Sequence, residues 1–375
     1  MNEFKIGDLK IKYPIIQGGM GVAISLSGLA SAVANQGGIG VISAVGIGMT
    51  EPDYLKNFKE ANKTALKKEI SKARCLTDGV LGVNIMLAVT DAEDLINIAI
   101  EENIDVVFLG AGLPLKMPDK ILEKGFENIK TKFIPKVSSA KAIRVILKYW
   151  AEKYKYVPDA FAVEGPLAGG HLGFKKSDLV NPDIKLSTII RESVQEVQPY
   201  IEYFGKDIPI IAAGGIYTGK DIYEIFQSGA KAVKMGTRFV TTYECDAALE
   251  FKESYINSKK EDITIIDSPV GLPGRVIKNE FVNQINRGEE KPFKCSWQCL
   301  KTCNFRNVQY CIAKTLFNSA NGKMHDGFAF AGSNAYKATK LQSVKEIFDE
   351  LIAEFELTKL AALYPVTNEL AIASA

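Results

Sequence analysis

The chain alternates between short runs of apolar, often β-branched residues and longer stretches whose apolar residues recur every three or four positions. The short runs are PIIQ (14–17), GVISA (40–44), GVNIM (82–86), VVFLG (106–110), KFIPKV (132–137), AFAVEG (160–165), PIIAAGG (209–215) and AVKMGTRF (232–239). Between them lie SLSGLASAVANQ, DAEDLINIAIEEN, SSAKAIRVILKYWAEKYK, STIIRESVQEVQPYIEYF and TGKDIYEIFQSG, each with a helical period. Ser25 or Ser27, Asp91, Ser138 or Ser139, Ser187 and Thr218 are predicted to cap these helices. Continuous apolar strands alternating with amphipathic helices require a parallel sheet covered by helices. Eight such units predict an α/β fold, a closed (β/α)8 TIM barrel with a C-terminal extension. An open doubly wound sheet is the structural alternative, because parallel strands read alike in both.

Two segments break the alternation. Residues 53–75 form a lysine-rich helical stretch, read as a solvated outer face with no functional role. After Thr241 the repeat stops, and residues 262–340 carry the turn SPVGLPGR, a cysteine cluster and GFAFAGSNAYK, which together read as an appended cap. The last amphipathic stretch, SVKEIFDELIAEFELTKLAALY, is expected to pack back on the barrel wall.

Composition narrows the partners. With 47% hydrophobic and 24% charged residues in 375, the chain can bury a large core. Its net charge of +2 favours neither nucleic acid nor an anionic membrane, so a small-molecule substrate is expected. No window reaches the ~18 apolar residues of a membrane span, and the N-terminus has no signal-peptide core, so the chain reads as cytoplasmic.

The active site of a barrel lies at the C-terminal ends of its strands. There this sequence is repeatedly glycine: Gly18, Gly19 and Gly21 after the first strand, Gly165 after the sixth, Gly214-Gly215 after the seventh and Gly236 after the eighth. Tight turns alone would account for any one of them. Gly214-Gly215 before Thr218, followed by Met235-Gly236-Thr237, places two N–H-rich loops where barrels bind phosphate. A dinucleotide fold is disfavoured, since neither glycine nor alanine stands three residues after Gly21 and no acid ends GVISA. Asn84, Lys136 and Lys234 are polar residues inside apolar strands; the lysines are expected at the mouth facing a ligand or in structural ion pairs, and Asn84 there or bonded to the backbone of a turn.

PIIQGGMG, EGPLAGGHLG, and IPIIAAGGIYTGKDI with AVKMGTRF resemble, in order from about residue 11 to 242, the motifs of the nitronate monooxygenase (2-nitropropane dioxygenase) family, which includes flavin-dependent enoyl-acyl-carrier-protein reductases. The resemblance implies FMN contacts from Gly19, Met20, Asn84, Lys136, Glu164, Gly169, Gly170, Gly215, Lys234, Met235, Gly236 and Thr237, and a catalytic role for His171. EGPLAG departs from the shorter acid-alanine-glycine-glycine sequence of many members, which bears on the assignment of Glu164. The implied domains are an FMN-binding barrel over residues 1–250, a cap with the cysteine cluster over 251–340 and a C-terminal helix over 341–375. The implied reaction is oxidation of alkyl nitronates with flavin and oxygen. An NAD(P)H-dependent enoyl thioester reductase on the same scaffold is the nearest alternative, and a non-catalytic barrel with a docking extension a rival of another class. In the first case His171 would hold the nitro oxygens or act as base; in the second it would polarise a carbonyl or supply a proton. An oligomer is compatible with this reading.

CSWQCLKTCNFRNVQYC spaces Cys295, Cys299, Cys303 and Cys311 by three, three and seven residues. Four thiolates this close are candidates for an iron–sulfur cluster or zinc, although the spacing matches no common signature; thiols packed on one helix are the alternative. The other histidine, His325, reads as an exposed loop residue, with Phe328 and Phe330 as candidates to roof the flavin site.

Overall fold

A computed structural model describes residues 1–364. Eight parallel strands form the central sheet: β1 (Ile15–Gln17), β2 (Gly40–Ser43), β3 (Leu81–Met86), β4 (Val106–Gly110), β5 (Lys132–Val137), β6 (Phe161–Glu164), β7 (Ile210–Ala213) and β8 (Ala232–Met235). Consecutive strands from β2 to β8 pair with one another, and β8 pairs with β1, Val233 opposite Ile15. The last seam closes through Ile39, just before β2, whose N–H donates to the Ile15 carbonyl and whose carbonyl accepts from Gln17. The buried Gln17 side chain reinforces it, its Oε1 accepting from the Val41 N–H at 2.8 Å. The sheet is thus a nearly closed barrel, as the eight-unit alternation predicts.

Strand alternation divides the apolar residues into two cores. Ile16, Val41, Val106, Phe108, Ile134, Ala162, Ile211 and Ala232 fill the barrel interior. Their neighbours Ile15, Ile42, Val107, Val163 and Val233 face outward under the helices. An antiparallel hairpin, Phe4–Ile6 with Leu9–Ile11, adds Phe4, Ile6 and Ile11 to the interior core at the bottom. This hairpin was not expected from the sequence, although FKI-GD-LKI has a hairpin's alternation around a Gly-Asp turn.

The helices of the barrel are α1 (Ser27–Asn35), α2 (Phe58–Leu76), α3 (Ala92–Glu101), α4 (Asp119–Lys124), α5 (Ala140–Tyr154), α6 (Leu186–Phe204) and α7 (Gly219–Phe226). Thr218 caps α7 in a reciprocal box with Asp221, and Ser139 caps α5. Neither Ser25 nor Ser27 caps α1. The remote carboxylate of Asp246 does so, accepting the backbone N–H groups of Leu26, Gly28 and Leu29. Ser187 lies inside α6, and Asp91 precedes α3 without bonding its backbone, accepting instead from Asn62 at 2.6 Å. The lysine-rich helix starts at Phe58, not at residue 53, capped by Asn57. Helix α8 (Val344–Leu363) packs against α7 and α1, burying Ile347, Phe348, Leu351 and Phe355. Residues 365–375 of the expected C-terminal segment lie outside the described residues. Among the described residues no helix is long and apolar enough to cross a membrane.

Residues after β8 return across the barrel mouth. Strands β9 (Ile263–Asp267) and β10 (Pro273–Ile277) form a hairpin, and β10 pairs on its other edge with the two-residue strand Gly170–His171 that follows β6.

Candidate functional site

Side chains alternate along a strand, so the residue two positions beyond an interior apolar residue also points inward. Beyond Gly82, Ile134, Ala162 and Ala232 those residues are Asn84, Lys136, Glu164 and Lys234. Four polar side chains therefore form the last interior layer, at the C-terminal ends of β3, β5, β6 and β8. Lys136 Nζ lies 3.1 Å from Glu164 Oε1. Lys234 Nζ lies 3.4 Å from Asn84 Oδ1 and 4.5 Å from the centroid of the Phe108 ring. Lys136 is thus both at the mouth and paired. Lys234 is buried and, among the described residues, has no carboxylate within ion-pair distance. Burial, and then repulsion by Lys136, bring its ammonium down to about 7 against the pull of Glu164.

The glycine loops close round this layer. A Cβ on Gly19 would stand 2.4 Å from Asn84 Cβ, and one on Gly236 would stand 3.3 Å from Met20 Sδ. Gly18 donates its N–H to the Met235 carbonyl at 2.8 Å. The Met235 side chain packs in the outer core, so only its backbone reaches the mouth. Gly214 and Gly215 both adopt positive φ. The cap completes this side in a way the sequence reading missed. Asn334 Nδ2 donates to the Gly215 carbonyl at 2.8 Å, Gly332 N–H to Thr237 Oγ1 at 3.0 Å and Ser333 N–H to the Leu167 carbonyl at 3.1 Å. One cap segment thereby fastens the loops after β6, β7 and β8. The hydroxyls of Ser333 and, at the end of β2, Ser43 are buried without a hydrogen-bond partner.

His171 follows two glycines with distinct reasons. A Cβ on Gly169 would stand 2.5 Å from the Ala331 carbonyl carbon, whereas Gly170, at φ +77°, has open space where a side chain would project. The backbone of His171 is paired with Gly274. Its Nε2 lies 2.6 Å from Ser268 Oγ, and the edge of its ring meets Phe330, centroids 4.8 Å apart. Burial, and secondarily the Lys136 charge, pull the imidazole down to about 4, so it is uncharged at neutral pH. Phe330 is therefore at the site, whereas Phe328, fully buried against Phe281 and Tyr310, belongs to the cap core and not to a flavin roof. Neither Ser268 nor the buried Arg275, whose guanidinium donates to the Ala168 carbonyl just before Gly169, was expected from the sequence. The signal was there: ITIID and PGRVI are two strand-like runs on either side of the turn already noted.

Cys295, Cys299, Cys303 and Cys311 line one small cavity. They do not share one helix: Cys311 precedes the helix Ile312–Ala320, and Cys299 lies in extended chain, its carbonyl accepting from the Thr90 N–H beyond β3. Burial, then the neighbouring thiols, push Cys299 up to about 12. Among the described residues no three Cys, His, Asp or Glu side chains stand where they could hold one metal ion, so neither the zinc nor the iron–sulfur expectation is supported by this arrangement. His325 is exposed beside Asp326, away from these residues.

A family model described as nitronate monooxygenase matches residues 2–354. The chain is similar to a probable nitronate monooxygenase of Staphylococcus saprophyticus, 26% identical over 311 residues, which cover 76% of this chain and 81% of the relative. It is also similar to the (3aS,4S,5R,7aS)-5-hydroxy-7a-methyl-1-oxo-octahydro-1H-indene-4-carboxyl-CoA dehydrogenase of Rhodococcus jostii, 28% identical over 275 residues and 73% of this chain; the match spans 65% of that relative's length. Among solved structures, FabK from Thermotoga maritima superposes with a TM-score of 0.72 at 30% identity, covering 94% of this chain and 96% of that one.

Proposed function

Because the chain belongs to the nitronate monooxygenase family of FMN-dependent oxidoreductases, we propose that it acts on the Cα–Cβ bond of an acyl or enoyl thioester, with FMN at the barrel mouth and His171 on the thioester carbonyl. The residues fit the cofactor. Lys234 is a buried amine with no carboxylate partner among the described residues, the Ser43 and Ser333 hydroxyls lack partners, and Gly170 leaves its surroundings open. Gly19, Met20, Asn84, Lys136, Glu164, Gly169, Gly170, Gly215, Lys234, Gly236 and Thr237 would hold FMN, with Met235 contributing its backbone. FMN supplies two-electron transfer at the β-carbon when bound.

The enclosure of His171 by Phe330 and Ser268, which favours an uncharged imidazole, supports the choice of substrate. A nitronate arrives as an anion and calls for a free cation, but Lys136 is paired with Glu164, and Lys234 is buried with its ammonium brought down to about 7. A thioester oxygen gains charge only as Cα becomes carbanionic. A neutral N–H donor then binds the transition state more strongly than the ground state. The Rhodococcus relative, named for a CoA-linked substrate, agrees. Nitronate oxidation, the reaction in the family's name, is the second reading. Holoenzyme is offered crotonyl thioester with NADPH and, separately, propyl nitronate in air, following NADPH loss and oxygen uptake. We expect turnover of the thioester; turnover of propyl nitronate alone overturns the proposal. A cytoplasmic location suits such a substrate.

We propose, from the four cysteines that line one cavity, that an iron–sulfur cluster assembles there. A cluster takes each thiolate on a separate iron, so its ligands surround a cavity instead of converging on one point, and its charge would offset the cost of four buried thiolates. Protein purified without oxygen is expected to contain about four iron and four sulfide per chain if the cluster is of the cubane type. Cys299→Ser should lose both, and metal-free protein with all four thiols alkylated rapidly under native conditions would count against it.

A further inference from the structure

The hairpin of β9 and β10 holds His171 twice, once by its backbone and once by its ring. Gly274 of β10 pairs with the His171 backbone, and Ser268, the first residue after β9, reaches Nε2 at 2.6 Å. Both backbone groups of Ser268 are already used: its N–H donates to the Leu272 carbonyl and its carbonyl accepts from Gly271 N–H. The residue is 6% exposed, and among the described residues its hydroxyl has no partner other than His171. A buried hydroxyl that only accepted from Nε2–H would leave its own proton unpaired, which costs more than donating to the Nε2 lone pair. Ser268 therefore donates. A neutral imidazole that accepts at Nε2 carries its single proton on Nδ1. Among the described residues no side chain or carbonyl bonds Nδ1. Phe330 against the ring resists a flip that would put carbon in place of Nε2 beside Ser268.

We propose that Ser268 is a positioning residue that fixes His171 in the Nδ1–H tautomer, so that the imidazole offers substrate a hydrogen-bond donor and not a free base. This rests on the reading of His171 as the group that meets the substrate, and it deepens that reading by assigning the proton. No covalent step is required of Ser268.

The chain has only two histidines, His171 and His325, so the ring nitrogens of holoenzyme labelled with 15N-histidine can be resolved without ambiguity, the exposed His325 serving as internal reference. At neutral pH, long-range 1H–15N correlation is expected to show His171 protonated on Nδ1 alone. Ser268→Ala should give a mixture of tautomers and lower kcat by roughly 10-fold with KM within about twofold, the loss of one hydrogen bond. Ser268→Thr keeps the hydroxyl and should restore both the spectrum and kcat. An Nε2–H signal in the wild type, or an unchanged spectrum in Ser268→Ala, overturns the proposal. The spectrum needs no substrate, so it stands apart from the thioester assay; the wild-type and threonine spectra decide the matter even if the alanine variant fails to fold.

Discussion

His171→Ala is expected to lower kcat/KM for the enoyl thioester by about 100- to 1000-fold, the cost of removing one donor from a developing oxyanion. FMN should stay bound, because no group of the polar layer, Asn84, Lys136, Glu164 or Lys234, bonds the imidazole. Flavin absorbance of the purified variant separates loss of chemistry from loss of cofactor. The pH dependence of the wild type follows from the same imidazole. Its folded pKa lies below the ordinary value, so the neutral donor predominates at every pH above about 4. A kcat/KM profile should show no imidazole break between about pH 5 and 8, and activity should fall only as acid approaches the lowered value. A profile that rose with acid through the ordinary histidine range would mean that the imidazolium is the active form.

Gly19→Ala should weaken FMN binding at least tenfold and lower the melting temperature. The added methyl would stand 2.4 Å from Asn84 Cβ and 3.1 Å from Val41 Cγ1, and neither neighbour has free space behind it. Overpacking of this kind costs about 1–3 kcal/mol, and the displacement falls on the residue that bonds Lys234. Fluorescence titration of apoprotein with FMN and a thermal melt measure the two effects. Unchanged affinity would show that Gly19 and Asn84 do not form the cofactor seat.

The barrel was readable because its evidence is local: apolar runs of strand length, helical period between them and caps such as Thr218 three residues before Asp221. Where a cap comes from far away the sequence misleads, as with Asp246, which bonds the start of α1 from more than two hundred residues along the chain. The polar layer was visible residue by residue, since Asn84, Lys136 and Lys234 interrupt apolar strands. Its pairing was not. Whether Lys136 meets Glu164 or a ligand depends on the register between β5 and β6, which nothing within either strand specifies. The same holds for His171: its position after two glycines marked it, but Ser268, Phe330 and Gly274, which set its ring, tautomer and backbone, arrive from a hairpin and a cap segment much later in the chain.

The N-terminal hairpin bears on the order of events in turnover. Phe4, Ile6 and Ile11 pack, buried, against the interior core below the polar layer. In the proposed reaction, electron donor and electron acceptor are expected to share the doorway under the cap and to take turns there. Steady-state rates measured against both should fall on parallel double-reciprocal lines, the mark of a substituted-enzyme cycle in which the first product departs before the second reactant enters.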